Sequence, residues 1–335
     1  METTISDRII PAVFTEYTYE PSISMLAFIQ SGMVVRDPRL DNFVSMGGST
    51  LTIPFNKSIA RQGDTVGSDN SASDLVTGKL TSAEMKGARC FRTNGWSDMD
   101  LASLLAGNNA LEAIQSEVSE SWEYNFQRVL LSQLTGVFAD NLANDAGDLI
   151  TNIYSDVASG SLTDANKISG AAIIEAKHKL GDKAGKLVAI AMHSDVLKQL
   201  ELLEPNSFIP KSATQPFDSY QGLMIIVDDD MTVVTGASSD AYVSYLFTAG
   251  AIGAGFNAST NYKPTAVKED ELSGDGAGQS SLITRRDFIF HPYGFSFVGS
   301  PAGSTASNTE FEAAASWDRV FEKKNCGVVQ LVTNA

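Results

Sequence analysis

The longest periodic stretch of the chain covers residues 108–142, where apolar residues recur every three or four positions. This spacing places them along one side of a helix, with the second row drifting round it towards the C-terminal end. At 1.5 Å per residue the helix is roughly 50 Å long, so we expect it to cross the molecule or join two regions. The first row consists of Leu111, Ile114, Val118, Trp122, Phe126 and Val129, and the second of Leu130, Leu134, Phe138 and Leu142.

In the N-terminal region prolines divide the apolar positions into islands. Pro11, Pro21 and Pro38 separate the apolar islands of residues 1–46, in which only residues 21–32 show the pattern of a short helix. Such islands do not make an independent core. We interpret this region as an arm that lies either on its own domain or on a neighbouring subunit.

Residues 47–95 show the alternation of a long hairpin. Its polar tip, residues 61–74, has almost nothing to bury and is longer than most loops of compact domains. The tip is therefore either a disordered surface loop or a loop ordered by contact with another chain. The mixed charges of the hairpin suit pairing across such a contact. They are Lys57, Arg61, Asp64, Asp69, Asp74, Lys79, Lys86 and Arg89.

Strand and helix patterns alternate after the long helix. We predict an α/β layer over about 160–270, an exposed acidic loop over 269–281 and a long strand over 282–298, kinked at Pro292 and Gly294. The other predicted elements are helices at 98–107, 163–180 and 194–203, a helix or strand at 149–157, strands at 186–192, 220–227, 241–247 and 328–332, and a helical turn at 310–317.

Composition narrows the function classes without choosing one. The 335 residues carry a formal net charge of −16, which argues against nucleic-acid binding by counterion release but permits a wall that encloses nucleic acid. Cys90 and Cys326 are too few for a disulfide framework or a zinc set, and a reducing compartment fits them best. The sequence shows no signal-peptide pattern and no apolar run of membrane-spanning length, so we expect no membrane partner.

Residue types that carry catalysis are few and dispersed, and glycine-rich nucleotide loops and hydrolase or zinc-protease motifs do not occur. We interpret His178 as solvated, His193 as a local cap or core residue, and His291 as structural. The three aspartates at 228–230 end a predicted strand. They could hold a hard cation, but a solvated turn is the favoured interpretation. We expect no catalytic, cofactor-binding or metal-binding residues and no cofactor.

An aromatic stripe runs through the long late strand. Stacking on single-stranded nucleic acid would need basic neighbours, and only Arg285 and Arg286 lie close in sequence. We therefore interpret the stripe as sheet core. It consists of Phe288, Phe290, Tyr293, Phe295 and Phe297.

The order of these parts resembles the major capsid proteins of tailed double-stranded DNA phages, which have the Hong Kong ninety-seven-type capsid fold. The resemblance covers essentially the whole chain and rests on architecture and a few local phrases. The phrases similar to phage coat proteins are LVAIAMHSDVLKQLELL (187–203), YQGLMIIVDDDM (220–231), YVSYLFTAGAIGAGF (242–256) and RRDFIFHPYGFSFVG (285–299).

This resemblance implies an α+β fold in which the arm and the hairpin find their partners on other chains. The loops of the axial domain would meet at the five-fold and six-fold axes of a shell. The implied regions are an N-terminal arm (1–46), an extended loop over a neighbouring subunit (47–95), a peripheral domain (96–159 and 282–335, with 108–142 as its spine helix) and an axial domain (160–281).

The implied function is structural and not enzymatic. Copies of the chain would self-assemble as pentamers and hexamers into an icosahedral shell around double-stranded DNA, without sequence-specific binding. The other implied partners are a scaffolding protein and a portal, with a decoration protein left open. Assembly would take place in the host cytoplasm, and the protein would end in the virion.

Two details depart from some relatives. The arm begins almost at Met1, which leaves no room for a leading scaffolding segment, so we expect a separate scaffolding protein or cleavage before this numbering starts. Neither Lys57 nor Lys79 aligns with a cross-linking lysine, so we expect non-covalent assembly.

Two other functions stay open. A bacterial nanocompartment that encloses an enzyme would share the fold but hold no DNA. A cytoplasmic α/β enzyme would use Asp228, Asp229 and Asp230 with a metal, and replacing them with asparagine would abolish its activity.

Overall fold

The computed structural model describes residues 32–46, 48–57, 64–67, 69–70, 72, 74–75, 77–101, 110–158, 161–204, 207–210, 218–257 and 263–335, without the side chains of 110–116 and 119. The helices are α1 (Pro38–Met46), α2 (Ala110–Asn144), α3 (Gly170–His178), α4 (Ser194–Leu203) and α5 (Asn308–Glu312). The strands are β1 (Val34–Arg36), β2 (Thr50–Asn56), β3 (Ser82–Ala88), β4 (Cys90–Met99), β5 (Ile150–Asn152), β6 (Leu187–Met192), β7 (Phe208–Ile209), β8 (Ser219–Tyr220), β9 (Leu223–Val227), β10 (Val233–Val234), β11 (Ala241–Thr248), β12 (Ile252–Phe256), β13 (Thr265–Asp270), β14 (Gln279–Pro292), β15 (Phe295–Phe297), β16 (Trp317–Arg319) and β17 (Val328–Thr333).

The predicted long helix is confirmed, and it ends at Asn144, two residues later than predicted. Helix α2 has 35 residues, and the described part of its first apolar row, from Val118 to Val129, is buried. Trp122 and Phe126 face the late strand β14, where the indole Nε1 donates to Thr284 Oγ1 at 2.9 Å and the Phe126 ring lies 4.7 Å from that of Phe288. The first apolar row therefore packs on the late strand.

The C-terminal half of α2 is buried on more than one side. Phe138 stacks on Tyr245 of β11, while Gly136 lies directly against α5. Leu142, the last member of the second row, is not buried: its side chain is 67% exposed. Asn141, one position earlier, takes the buried side of the last turn and accepts from Leu149 N at 3.2 Å.

A five-stranded sheet is built around β14. Strand β4 pairs along one edge of β14, β12 and β13 pair with the other, and β1 adds to β12 in parallel. The predicted late strand is confirmed, and so is its kink: Tyr293 and Gly294 form a turn after Pro292, and β15 then pairs with β16 in a separate sheet.

An eight-stranded sheet contains the α/β part of the chain, in the order β5-β17-β11-β6-β9-β8-β7, with β10 beside β11. The predicted strands at 186–192, 241–247 and 328–332 and the helix at 194–203 are confirmed. The prediction of one layer over 160–270 holds only as far as Thr248. Strands β12 and β13 belong to the other sheet, whereas β5 and β17 come from outside that range.

Three predicted elements have other bounds because of local backbone chemistry. The strand at 220–227 is a hairpin of β8 and β9, since Gln221 and Gly222 have positive φ values of 48° and 76° and form a tight turn. The helix at 163–180 begins only at Gly170, because Ser169 is its N-cap and accepts from Ala172 N at 3.3 Å. The 149–157 element contains strand β5.

Pairing with β14 shortens two other predicted elements. Strand β4 continues to Met99, so the predicted helix at 98–107 cannot begin at Asp98; residues 102–109 lie outside the described part. The acidic loop predicted for 269–281 is reduced to a turn over 271–278, because both of its ends are paired in β13 and β14. The helical turn predicted at 310–317 corresponds to α5 and the short 3₁₀ segment Ala314–Ser316.

The described end of the predicted arm lies on its own chain. Strand β1 pairs with β12, and Leu40 and Val44 of α1 are fully buried beside Ile289. Gly255 makes this approach possible, since a Cβ there would lie 2.6 Å from the backbone carbon of Leu40. Residues 33–46 therefore pack on their own chain and do not require a neighbouring subunit to bury their apolar side chains. The predicted helix at 21–32 falls almost entirely outside the described residues.

No helix in the described part of the chain is both long and apolar enough to span a membrane.

Candidate assembly surfaces

The hairpin of β2 and β3 is fixed to the body at its base. Gly87 lies so close to β14 that a Cβ would be 2.9 Å from Ile289 and 3.3 Å from the His291 ring. The backbone N–H of Lys86 donates to Ser296 Oγ at 3.0 Å. The Phe55 ring meets the edge of another ring of the body, that of Phe321, at 5.0 Å. The hairpin therefore leaves the body at a defined position.

An ion pair that sequence analysis missed secures the same base. Arg89 donates to both carboxylate oxygens of Asp287 in β14 and, at 3.2 Å, to the Gly48 carbonyl. Arg89 is one of the charges predicted to suit pairing with another chain, but its partner lies in its own chain. Lys86 likewise lies 3.6 Å from Glu84 in the same strand. No local pattern could show the first pair, because its members are 198 positions apart.

The outer part of the hairpin offers its side chains to solvent. Lys57 N donates to Thr81 O at 2.8 Å, and every described residue from 57 to 82 is exposed. Val66 and Leu75 are 92% and 69% exposed. The described part of this loop thus lacks a core of its own. Pairing with β2 ends at Ala88, since β4 joins the sheet of β14.

The turn between β13 and β14 is a second exposed feature, and it is acidic. Leu272 is 88% exposed at its tip, beside the exposed Glu271. Hydrogen bonds hold the tip: Leu272 N donates to Asp270 Oδ1 at 3.2 Å, and Ser273 Oγ donates to Gln279 Oε1 at 2.9 Å. The loop is therefore built, although its outer side chains have nothing to contact in the described chain.

The aromatic stripe is sheet core, as predicted. Phe288, Phe290, Phe295 and Phe297 are buried; the rings of Phe288 and Phe290 contact Phe126 of α2, and that of Phe297 contacts α5. Tyr293, the fifth member, is half-buried and donates to Asp37 Oδ2 at 2.7 Å. Buried rings cannot stack on bases. The stripe therefore does not make a nucleic-acid surface.

The three aspartates at the end of β9 do not make a metal centre. Asp228 is 6% exposed, and it accepts from Gln127 Nε2 of α2 at 2.5 Å and from Asp230 N at 2.9 Å. Asp229 accepts from Ser194 N at 3.2 Å. Burial raises the pKa of Asp228 to about 6, opposed by the Asp230 N–H and assisted by the neighbouring carboxylates. Among the described residues no group of three potential ligands lies together.

The histidines have the structural environments that were predicted. His178 is exposed at the end of α3. His193 is the N-cap of α4, where Nδ1 accepts from Asp195 N at 3.1 Å. His291 is fully buried under the hairpin, and burial lowers its pKa to about 4. None of the three forms a catalytic pair with a described nucleophile.

The end of α2 is held by an arginine that sequence analysis did not single out. Arg319 of β16 donates to Asp148 at 2.8 Å and to Asp145 at 3.0 Å. Burial acts to raise the pKa of Asp148, but hydrogen bonds from Asn141 and Arg319 outweigh it and the pKa is lowered. These contacts fix the passage from α2 to β5.

Comparison with known proteins shows which of them share this sequence and architecture. No family model matches the sequence. The major capsid protein of Bacillus phage SPP1 is 31% identical over 334 residues, which are 98% of this chain and 97% of that protein. The capsid of Ralstonia phage GP4 superposes with a TM-score of 0.64 at 10% identity, covering 97% of this chain and 96% of the other. The cyanophage Pam1 capsid gives 0.60 at 10% identity, covering 98% of each chain.

These relatives agree with the geometry. In the described chain Asp228 is buried and hydrogen-bonded to Gln127 of α2, and the hairpin and the turn described above are exposed. Neither the nanocompartment nor the enzyme has a counterpart among the proteins named above. Full-length identity above 30% then decides the family. The chain belongs to the major capsid proteins of tailed phages, which form the icosahedral shell of the head.

Proposed function

We propose that this chain builds its shell as pentamers and hexamers, and that the hairpin of β2 and β3 is the element that lies over a neighbouring copy. The observation that carries this proposal is the contrast within the hairpin. Its base is fixed by Gly87 and Arg89, whereas the described tip is exposed and includes Val66 and Leu75. A second copy would bury these apolar side chains and supply partners for the loop charges.

The division of the subunit follows from the same proposal. Residues 1–46 act as the arm, of which 33–46 are tied to their own subunit, and 47–95 as the extended loop. Residues 96–159 and 282–335 form the peripheral domain around α2. Residues 160–281 form the axial domain, whose loops meet at the five-fold and six-fold axes.

The shell encloses double-stranded DNA without adhering to it. A net charge of −16 per subunit repels phosphate, so the genome is confined by the wall and is free to leave. The exposed Lys57 and Lys79 have no ion pair within the described chain. Subunits in the shell are held together without covalent bonds. A separate scaffolding protein and a portal complete the assembly in the host cytoplasm.

Negative-stain electron microscopy of the purified chain, expressed alone and with a co-encoded scaffolding protein, tests the shell. We expect icosahedral particles, tubes or capsomer rings that hold phage DNA when packaging proteins are present. A strictly monomeric species under all conditions would contradict the proposal. Boiling the particles in detergent tests the linkage, since single subunits are expected and ladders would show covalent bonds.

A further inference from the structure

A lysine-rimmed cleft of about 430 Å³ opens at one end of the eight-stranded sheet. It lies where β6 begins and β11 ends, so side chains from both strands line it together with the segment before β17. Among its apolar lining residues, Leu180 and Cys326 are buried and Val188 is 39% exposed. The cleft is thus concave, and Val188 gives it an accessible apolar side chain that an inserted side chain could contact.

The rim of the cleft is basic in a chain that is otherwise acidic. Lys183, Lys186 and Lys324 stand around it. Lys324 pairs with Asp182 at 3.0 Å, and Lys183 donates to Asn325 Oδ1. Within the described residues neither Lys183 nor Lys186 has a carboxylate in ion-pair contact. Two positive charges are therefore left for a ligand that carries negative charge beside an apolar group.

The turn between β13 and β14 has the complementary composition. Leu272 projects at its tip, flanked by Glu269 and Glu271, and Asp275 follows on the same turn. All four side chains are exposed, and no ion pair joins these acids to a described cation. An apolar tip among carboxylates is complementary to the exposed Val188 among ammonium groups.

The two features lie at opposite ends of one subunit. Pro292, at the far end of β14, pairs with Ile252, and Tyr293 N donates to the Ala251 carbonyl two positions after the cleft residue Ala249. The acidic turn precedes Gln279, at the near end. Strand β14 has 14 residues, so about 40 Å separates the turn from the cleft. The turn of a chain cannot enter its own cleft.

We propose that the acidic turn of one subunit inserts Leu272 into the lysine-rimmed cleft of the next copy. The contact deepens the proposed shell function and rests on it. Turn and cleft are different surfaces, so the contact is head-to-tail, and such contacts generate closed rings or extended lattices when they repeat. The carboxylates of Glu269 and Glu271 would meet Lys183 and Lys186, which have no carboxylate partner among the described residues.

Disulfide trapping tests the placement directly. Leu272→Cys and Val188→Cys are made in separate chains that also carry Cys326→Ser, so that the thiol of the cleft cannot react. The two chains are co-assembled and oxidised, and linked dimers are counted on a non-reducing gel. We expect at least a tenfold excess of dimers over a control pair in which Leu202→Cys, 69% exposed on α4, replaces the cleft variant.

Charge exchange tests the energetics. The double variant Lys183→Glu/Lys186→Glu and the double variant Glu269→Lys/Glu271→Lys are each expected to lower the yield of shells at least tenfold. Combining all four changes should restore much of the yield, because the charges are then exchanged across the contact. The control Lys198→Glu/Lys263→Glu changes net charge equally at exposed sites and should assemble like the parent chain.

The outcomes separate this contact from the shell itself. If the parent chain forms shells, but the lysine variant assembles equally well and no trapped dimer appears, the contact does not exist and the shell function stands. If the lysine variant assembles normally and only retains less DNA, the cleft contacts nucleic acid and this proposal is wrong. If the parent chain never assembles, the proposed function fails first.

Discussion

The carboxyl group of Asp228 couples subunit stability to pH. Its pKa is about 6 in the folded chain, against an ordinary value of 3.8, because it is buried. Between these values the folded state binds more protons than the unfolded state, so this residue's contribution to stability falls as pH rises from about 4 to 6. We expect Asp228→Asn to remove that slope and to stabilise the subunit at pH 7 by about 2 kcal/mol.

Urea unfolding of the unassembled subunit at pH 4.5 and 7 measures this change. Asp164→Asn is the matched control, because the Asp164 side chain is 80% exposed. An Asp228→Asn variant with the slope of the parent chain would contradict the assignment.

The imidazole of His291 acts with the opposite sign. Its pKa is about 4 in the folded chain and 6.5 when free, because burial under the hairpin disfavours the charged form. The unfolded state binds the proton first, so stability is lost as pH falls from about 6.5 to 4. We expect His291→Leu to reduce the stability difference between pH 7 and pH 5 by about 2 kcal/mol.

The same unfolding series shows this effect, with the exposed His178→Leu as its control. An unchanged difference in the His291→Leu variant would show that the buried ring takes up its proton at the ordinary pH. The two residues oppose each other in the wild-type chain, so only single variants separate them.

Gly136 is required by packing, not by backbone freedom. A Cβ at this position would lie 1.8 Å from the Phe311 carbonyl and 2.6 Å from Trp317 Nε1, which hydrogen-bond to each other at 2.7 Å. Alanine favours helices by about 1 kcal/mol over glycine, but here it must push α5 away. We expect Gly136→Ala to lower the free energy of unfolding by about 1–3 kcal/mol. Thermal melts of the two variants measure the difference. Gly95→Ala should have a much smaller effect, because its Cβ would lie no closer than 3.6 Å to any neighbouring atom.

At the scale of the element, Trp122 joins α2 to the five-stranded sheet. Its side chain is 2% exposed, its Nε1 donates to Thr284 Oγ1, and Arg286 lies 5.3 Å from the ring centroid. We expect Trp122→Ala to destabilise the subunit by about 3–5 kcal/mol. Trp122→Phe keeps most of the area and loses the hydrogen bond, so about 1 kcal/mol is expected. Equal losses in the two variants, measured by urea unfolding, would show that packing does not dominate.

Elements with strong local signals could be predicted from the sequence. Helix α2 follows from its apolar rows, and β6 and α4 follow from a continuous apolar run and the cap after it. Features that depend on distant partners could not. Nothing local shows that β17 enters between β5 and β11, or that Arg89 meets Asp287.

Competing local signals explain the remaining misses. Thr163 and Ser169 are both good N-caps, and the structure uses Ser169, while Thr163 Oγ1 donates to Asn166 Oδ1 in a turn. Gly222 signalled a turn inside the run at 220–227, but the apolar residues after it favoured an unbroken strand. Of the candidate surfaces, the hairpin could be anticipated from its polar tip. The lysine cleft could not, because 248–249 and 324–327 join it only through the fold.

At the scale of the whole molecule, folding and assembly depend on different residues. Val66 and Leu75 are exposed and contribute little to the subunit. We expect Val66→Asp/Leu75→Asp to change the free energy of unfolding by less than about 0.5 kcal/mol. The yield of shells should nevertheless fall at least tenfold, because the contact over the neighbouring copy would be lost.

Sedimentation of assembled particles, together with melts of the subunit, separates the two effects. Leu142→Asp is the control, since Leu142 is similarly exposed at the end of α2. Normal shells from the double variant would remove the hairpin tip from the assembly contact.

The interior position of the late strands has a consequence for biosynthesis. Strand β14 lies between β4 on one side and β12 and β13 on the other, and β17 lies between β5 and β11. During translation, the edges of β4, β5 and β11 stay unpaired until β14 and β17 leave the ribosome. The unpaired edges can mispair or bind chaperones in that time. The native subunit therefore arises only once Thr333 has emerged. Until then the unpaired edges of β4, β5 and β11 are the part of the chain most open to mispairing.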